Sequence, residues 1–189
     1  MQTILYLHGF ASSSNSQKAK IFKKYITKYD GYQILVPDLP NNLIEWSNEI
    51  SYIIKNEAPS FLVGSSMGGF YSTYYAEQSN ANAIVINPAV TPAEGMEVYL
   101  GKNVNYSTGE EFFLKSDEIE HLKKLQEEIV KPKDAKKFLV ILESGDEVLD
   151  YKKAINYYKG GQIEIVFGGN HSLESFQDHL QTIGSFIGI

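Results

Sequence analysis

A pair of serines between glycines is the part of the sequence best suited to chemistry. The segment VGSSMGGF matches the pattern G-x-S-x-G with Ser66 at its centre. A nucleophile on a tight strand-to-helix turn takes a strained backbone, and the residues two before and two after it come too close to their neighbours for side chains. Gly64 and Gly68 meet this requirement for Ser66, whereas Val63 stands two residues before Ser65. The spacing therefore predicts a nucleophile elbow with Ser66 as the nucleophile.

Two phosphate-binding alternatives fail at the same turns. A P-loop requires G-x-x-x-x-G-K-[ST], and no lysine follows these glycines before Lys102. A dinucleotide fingerprint requires G-x-G-x-x-G after the first strand, where the sequence reads HGFASS. The remaining alternative is an ordinary strand-to-helix connection, so the decision depends on whether the chain supplies a base and an acid.

Four histidines are candidates for the base that an activated serine needs. His171 follows the last strand in VFGGNHS, where glycines let the loop return the imidazole to the sheet edge. His8 ends the first strand and precedes the serine, and we expect it to brace the turn that Gly9 allows. His121, in a charged helix, and His179, in the final amphipathic helix, are predicted to lie at the surface. The sequence therefore favours His171 as the base.

The acid is expected between the serine and the base, after another strand. The segment FLVILESGDEVLD offers Glu143, Asp146, Glu147 and Asp150. Asp150 is predicted to be the N-cap of the next helix, and Glu143 still lies at the strand end. Asp146 follows Gly145 in a tight turn at the carboxyl edge of the sheet, which favours it as the acid. The order Ser–Asp–His is that of α/β hydrolases and differs from those of chymotrypsin and subtilisin.

Hydrolysis also needs donors for an oxyanion. Met67 follows the nucleophile and offers its backbone N–H at a helix N-terminus, and Phe10 in HGF offers another from the loop after the first strand. In the resulting mechanism His171 must begin neutral, so we expect activity to fall as the pH is lowered.

The elements that would position these residues alternate along the chain. Six short apolar runs are nearly continuous in hydrophobicity, which is typical of parallel strands buried on both faces. The runs are residues 3–7, 33–37, 61–64, 83–87, 138–142 and 163–167. Helical spacing lies between them, in residues 14–29 (with a capping-box pattern beginning at Ser14), 42–56, 67–78, 150–158 and from about Ser172. This alternation predicts a three-layer α/β fold with an approximately six-stranded, mostly parallel sheet.

One connection is too long for a plain crossover. We expect residues 89–136, between the fourth and fifth predicted strands, to form a small cap inserted into one domain that spans residues 1–189. The second half of the insertion predicts a helix with Ser116 as its N-cap and Pro132 after its end. The first half shows no clear period. Its aromatic residues are candidates either for an apolar acyl pocket or for a cap core: Tyr99, Tyr106, Phe112 and Phe113.

Bulk composition excludes several classes of function. The net charge of −6 and the isoelectric point near 5.2 oppose binding to nucleic acid or to an anionic membrane. The absence of cysteine removes disulfides, thiolate nucleophiles and cysteine-based metal sites. The N-terminus MQTILYLHGF lacks signal-peptide features, and no apolar run reaches the roughly 18 residues of a membrane span. The expectation is a cytoplasmic enzyme or binding protein.

Five blocks in order, YLHGF, VGSSMGG, INPAV, GDEVLDY and GGNH, make the chain similar to a known family. Along essentially its whole length it resembles the small bacterial YqiA-like esterases of the α/β-hydrolase superfamily. The resemblance implies an esterase or thioesterase that acts on a small-molecule acyl substrate without a metal or cofactor, with Ser66, Asp146 and His171 as its triad. Two alternatives stay open: a non-catalytic binding protein on the same scaffold, and an acyltransferase using the same triad.

Overall fold

A parallel sheet forms the centre of the computed structural model, which describes residues 1–189. The strands are β1 (Gln2–Leu7), β2 (Tyr32–Leu35), β3 (Phe61–Ser65), β4 (Asn82–Ile86), β5 (Gly101–Val104), β6 (Glu111–Leu114), β7 (Phe138–Glu143) and β8 (Gln162–Val166). Six of them pair in the order β2-β1-β3-β4-β7-β8, and every pairing is parallel. The six predicted strands are therefore confirmed, with bounds that agree within two residues.

Helices connect the strands. They are α1 (Gln17–Ile26), α2 (Leu43–Glu57), α3 (Met67–Glu77), α4 (Pro92–Met96), α5 (Ser116–Glu128), α6 (Tyr151–Tyr157) and α7 (Leu180–Ile187). Single turns of 3-10 helix occupy residues 97–99 and 135–137, and a longer one occupies 174–179. Asn42 fixes the start of α2, because its side chain accepts the backbone N–H groups of Ile44 and Glu45.

Both faces of the sheet are covered, as the continuous apolar strands predict. In β1 the side chains of Ile4 and Tyr6 pack with α1 and α7, whereas Leu5 and Leu7 pack with α2, α3, α5 and α6. Successive side chains of a strand point to opposite faces, so a strand buried on both sides must be apolar throughout. The three-layer prediction is confirmed.

The insertion between β4 and β7 contains a hairpin that the sequence did not indicate. It begins with α4 and a 3-10 turn, continues into the antiparallel pair β5–β6, and ends with α5. The two hairpin strands have four residues each and are half exposed, so they lack the apolar period of the sheet strands.

The cap is tied to the sheet domain by a buried carboxylate. Helix α5 begins at Ser116 with Lys115 in the N-cap position, one residue before the predicted cap. Glu118 accepts the N–H of Lys115 (3.0 Å) and, with its other oxygen, the N–H of Leu43 at the start of α2 (2.8 Å). One side chain therefore completes the N-termini of two helices.

Two predicted helix starts are wrong. Helix α1 begins at Gln17 with Ser16 in the N-cap position, so Ser14 is not its cap, and the Ser14 N–H donates to Asp38 (2.7 Å). The helix predicted from Ser172 is a 3-10 segment followed by α7, since Leu173 has a left-handed φ of 48° that a continuous helix cannot contain. In both places contacts distant in sequence override the local pattern.

None of the helices combines the length and the apolar character that a bilayer crossing requires.

Candidate active site

The turn between β3 and α3 holds Ser66 in a conformation that few residues adopt. Its φ is 55° and its ψ is −119°, outside the regions favoured by residues with a side chain. A Cβ at Gly64 would overlap the backbone of Gly68, and a Cβ at Gly68 would overlap the carbonyl oxygens of Leu7 and His8. The tight turn therefore requires glycine at both positions.

Three side chains from different turns meet in a hydrogen-bonded row. His171 Nε2 lies 3.1 Å from Ser66 Oγ, and His171 Nδ1 lies 2.8 Å from Asp146 Oδ2. The other oxygen of Asp146 accepts the backbone N–H groups of Val148 and Leu149, both at 2.8 Å. Because a carboxylate accepts, Nδ1 carries the imidazole proton and the lone pair of Nε2 faces the serine hydroxyl. The arrangement can remove a proton from Ser66.

The loop that carries His171 is fixed by two side chains from the ends of β4 and β7. Asn87 donates to the carbonyl oxygens of Asn170 and His171, both at 3.2 Å, and accepts the N–H of Glu143 at 2.9 Å. Glu143, only 2% exposed, accepts the N–H of Asn170 at 2.6 Å. Sequence reasoning considered Glu143 only as a candidate acid and gave Asn87 no role. The INPAV block was the available signal for Asn87.

The two backbone groups predicted to face an oxyanion, the N–H groups of Phe10 and Met67, make no hydrogen bond in the turns around Ser66. The carbonyl of the Gly9–Phe10 peptide is held by His8, whose Nδ1 lies 2.9 Å from it. His8 Nε2 accepts the N–H of Leu39 at 3.1 Å, so Nδ1 carries the proton. Burial lowers the pKa of this imidazole and keeps it neutral. His8 braces the turn, as predicted.

Two nearby acidic residues, Glu147 and Asp150, accept hydrogen bonds from backbone N–H groups. Glu147 accepts the N–H of His171 at 2.9 Å, and this bond lowers the pKa of the Glu147 carboxyl. Asp150 accepts the N–H of Lys152 at 2.9 Å at the start of α6, which confirms the predicted N-cap.

The other two histidines lie away from Ser66. His179 is 3% exposed and lies 3.3 Å from the hydroxyl of Ser175, so its predicted surface position is wrong. His121 is half-buried, and its Nε2 lies 2.6 Å from the hydroxyl of Ser47 on α2. Burial lowers its pKa. The charged neighbours of His121 in α5 predicted a solvent-exposed position, but this helix packs against α2.

An apolar cavity of about 490 Å³ opens beside Ser66, Met67 and His171. Its walls carry no charged side chain and are formed mainly by the cap and the turn after β7. The apolar lining residues include Met96, Val98, Tyr99, Tyr106, Val148 and Leu149. The cap aromatics thus divide. Tyr99 and Tyr106 line the cavity, whereas Phe112 packs on Phe10 with ring centres 5.5 Å apart, and Phe113 does not reach the cavity.

Sequence comparison connects this geometry with a known group of proteins. The family described as "Uncharacterised protein family (UPF0227)" matches residues 3–188. A UPF0227 protein of Pectobacterium atrosepticum is 25% identical over 191 residues, covering 97% of both chains. A UPF0227 protein of Yersinia enterocolitica is also 25% identical, again with 97% of both chains covered. The resemblance inferred from the five sequence blocks is confirmed.

Solved structures establish the fold. Est1E from Butyrivibrio proteoclasticus superimposes with a TM-score of 0.75 at 15% identity, covering 100% of this chain and 89% of Est1E. A second structure of Est1E, with ferulic acid bound, gives a TM-score of 0.73 at 14% identity over 99% of this chain and 88% of the other. The ydeN gene product from B. subtilis gives 0.64 at 18% identity, with both chains fully covered. The chain has the α/β-hydrolase fold, with a small antiparallel hairpin inserted.

Proposed function

We propose that this chain, which belongs to the UPF0227 family, is a serine hydrolase that cleaves carboxylic esters or acyl thioesters. The observation that carries the proposal is the row from Ser66 Oγ to His171 Nε2 (3.1 Å) and from His171 Nδ1 to Asp146 (2.8 Å). A serine hydroxyl acts as a nucleophile at neutral pH only when a base accepts its proton, and a carboxylate must orient that base. The likeness in fold to an esterase supports the same chemistry.

In the first step the Ser66 hydroxyl attacks the substrate carbonyl while His171 Nε2 accepts its proton. Asp146 stabilises the imidazolium that forms, and its two backbone hydrogen bonds hold the carboxylate in place. The N–H groups of Phe10 and Met67 stabilise the oxyanion of the tetrahedral intermediate. Because His8 holds the carbonyl side of the Gly9–Phe10 peptide, the N–H of that trans peptide points the opposite way.

The first tetrahedral intermediate then collapses: the bond from the carbonyl carbon to the alcohol oxygen or thiol sulfur breaks, the imidazolium gives its proton to that atom, and the acyl group remains on Ser66. Water then attacks the acyl-enzyme, and His171 accepts one proton from that water. Collapse of the second tetrahedral intermediate breaks the bond to Ser66 Oγ, to which His171 gives its proton, and the carboxylic acid is released. The uncharged walls of the 490 Å³ cavity suit an apolar acyl chain.

Hydrolysis of p-nitrophenyl acyl esters by purified protein tests the proposal. Ser66→Ala should lower kcat by at least about 10³-fold, since the residual rate would come only from binding and oxyanion donors. Ser51→Ala, at an exposed serine of α2, is the matched control and should keep the wild-type rate. An unchanged rate in Ser66→Ala would contradict the mechanism.

Labelling by a fluorophosphonate probe separates the hydrolase from a non-catalytic binding protein on the same scaffold. We expect labelling of the wild type and of Ser51→Ala, and none of Ser66→Ala. Well-folded wild-type protein that takes up no probe would favour the binding protein. An acyltransferase would be recognised by faster acyl transfer to an added alcohol or amine than to water.

A further inference from the structure

A second cavity, of about 170 Å³, also reaches Ser66, His171 and Phe10, but its remaining wall is polar. It is formed by the turn after β1, the start of α1 and the loop after β8. The polar side chains on this wall are those of Tyr6, Ser12, Ser16, Lys18, Ser65 and Ser172. The apolar cavity carries no charge, whereas this one carries an ammonium group. We call it the polar cavity.

Two buried hydroxyls in the polar cavity lie side by side and have no hydrogen-bond partner beyond each other. They are the hydroxyls of Tyr6, whose side chain is fully buried, and of Ser16. Burial raises the pKa of Tyr6, and a hydrogen bond with the Ser16 hydroxyl opposes this in part, so the Tyr6 hydroxyl keeps its proton. Buried polar groups in proteins are almost always fully paired, so the one O–H donor that this pair leaves unused is available to a ligand.

The ammonium of Lys18 is also only partly used. It donates to the carbonyl of Ser172 at 2.6 Å, and no carboxylate lies within 4 Å of it. Glu143 and Asp146 are close enough to stabilise the charge, but both carboxylates are bound by other groups. Burial lowers the pKa of this ammonium, as expected for a charge without an ion pair. Two of its three N–H donors remain free.

The start of α1 adds to the positive potential. Helix α1 has ten residues and no acidic residue in its first turn, and the side chain of Ser16 does not cap it. The N-terminal N–H groups of a helix favour an anion, here beside the ammonium and the Tyr6–Ser16 hydroxyl pair. Hydroxyl, ammonium and helix donors together are a set that recognises an anionic oxygen group and not an apolar one.

We propose that the polar cavity binds a carboxylate or similar anionic group on the leaving-group part of the substrate, while the acyl chain occupies the apolar cavity. The inference rests on the proposed hydrolase function. Both cavities reach Ser66, so an ester bound there can place its two ends in different cavities. The larger, uncharged cavity fits an apolar acyl chain, and the smaller one fits the acidic alcohol or thiol. The preferred substrates are therefore amphiphilic esters or thioesters with an acidic leaving group.

Two chromogenic hexanoates test this selectivity: p-nitrophenyl hexanoate and 3-carboxy-4-nitrophenyl hexanoate. They share the acyl chain, and only the second carries a carboxylate on its leaving group. Because the two phenols differ in reactivity, the quantity compared is the ratio of their kcat/KM values before and after a substitution. Lys18→Gln should lower the ratio of carboxylated to neutral ester by at least about tenfold. Lys18→Arg should restore most of the ratio, since the positive charge returns.

Lys20→Gln is the matched control, because Lys20 is exposed on the same helix and does not line the cavity. Its ratio should equal that of the wild type. If Lys18→Gln lowers both esters equally, Lys18 acts only by holding the His171 loop through Ser172, and the inference is overturned. An unchanged ratio overturns it as well. In both cases the ester hydrolysis that remains leaves the proposed function standing.

Absence of any ester hydrolysis would contradict the proposed function. A binding measurement decides the present inference even in that case. Calorimetry on Ser66→Ala with the intact esters should show tighter binding of the carboxylated one. Adding Lys18→Gln should weaken that binding at least about tenfold and should change binding of the neutral ester less. Equal affinities of the two esters for Ser66→Ala would overturn the inference independently of any catalysis.

Discussion

The turns that carry Ser66, Asp146 and His171 are built differently from the cap that lies over them. We call the turns after β1, β3, β4, β7 and β8 the floor of the site. Polar side chains of the floor, such as Asn87 and Glu143, are buried and hydrogen-bonded. The hairpin and the 3-10 turn before it instead expose large apolar side chains. The exposed apolar residues of this part of the cap are Val98, Leu100, Val104, Tyr106 and Phe113.

The difference separates two tasks. In the proposed mechanism, proton transfer and nucleophilic attack need atoms placed within fractions of an ångström, and the floor holds these atoms with buried hydrogen bonds and glycines that no larger residue can replace. Recognition of an apolar chain needs only apolar area, which a half-exposed hairpin can supply. Changes in the floor should therefore cost stability or rate, and changes in the cap should alter substrate preference.

The largest effect is expected from adding one methyl group to a floor glycine. In Gly68→Ala the new Cβ would overlap the carbonyl oxygens of Leu7 and His8, which belong to the backbone and cannot rotate away. We expect the free energy of unfolding to fall by about 3 kcal/mol or more, or folding to fail. Urea denaturation followed by circular dichroism measures the change.

The same substitution in the cap is the matched control. A Cβ at Gly95 would meet no atom within 4 Å, and Gly95 lies within α4. Gly95→Ala should keep or raise the stability, by up to about 1 kcal/mol, because alanine loses less backbone entropy in a helix. Equal losses in the two variants would remove the distinction between floor and cap.

The second-largest effect is expected from removing an asparagine side chain that donates to two carbonyls. The floor and the cap each contain one such asparagine. Asn87 holds the loop of His171, and Asn103 in β5 donates to the carbonyls of Tyr99 and Gly101. Asn87→Gly keeps the left-handed backbone (φ 39°) but frees the loop. We expect kcat on p-nitrophenyl butyrate to fall about 10- to 100-fold, because the imidazole is less well placed.

Asn103→Gly removes the matching bonds from the cap and should change kcat on the same ester by less than about threefold, since no group of the floor moves. Rates measured at saturating ester give kcat, and circular dichroism shows whether each variant is folded. A larger loss of kcat in Asn103→Gly than in Asn87→Gly would reverse the proposed division.

The floor was more predictable from sequence than the cap for the same physical reason. Strands buried on both faces must be apolar throughout, so six runs revealed the sheet. The elbow around Ser66 is fixed by contacts between neighbours in sequence, and glycines record it directly. The hairpin β5–β6 is short and half exposed, so its residues carry no comparable constraint.

Interactions between distant segments were not predictable. Glu143 and His179 were ordinary polar residues in sequence, but the loop after β8 and the final helical segment bury both. Glu118 is one of several acidic residues in the sequence of α5, and its bond to the start of α2 depends on how the two helices pack. Such partners become visible only when the segments are placed together.

The smallest effect is expected at the exposed rim of the apolar cavity. Val98 is 83% exposed and lines the cavity, whereas Val130, 80% exposed at the end of the cap, does not. Val98→Ser should lower the kcat/KM preference for p-nitrophenyl octanoate over acetate by about two- to fivefold, because less apolar area meets the chain. Val130→Ser should not change this preference, and both variants should keep the wild-type stability within about 0.5 kcal/mol. A tenfold or greater loss on acetate in Val98→Ser would mean that the cap helps to place the reacting atoms, and the cap would then share the chemical task of the floor.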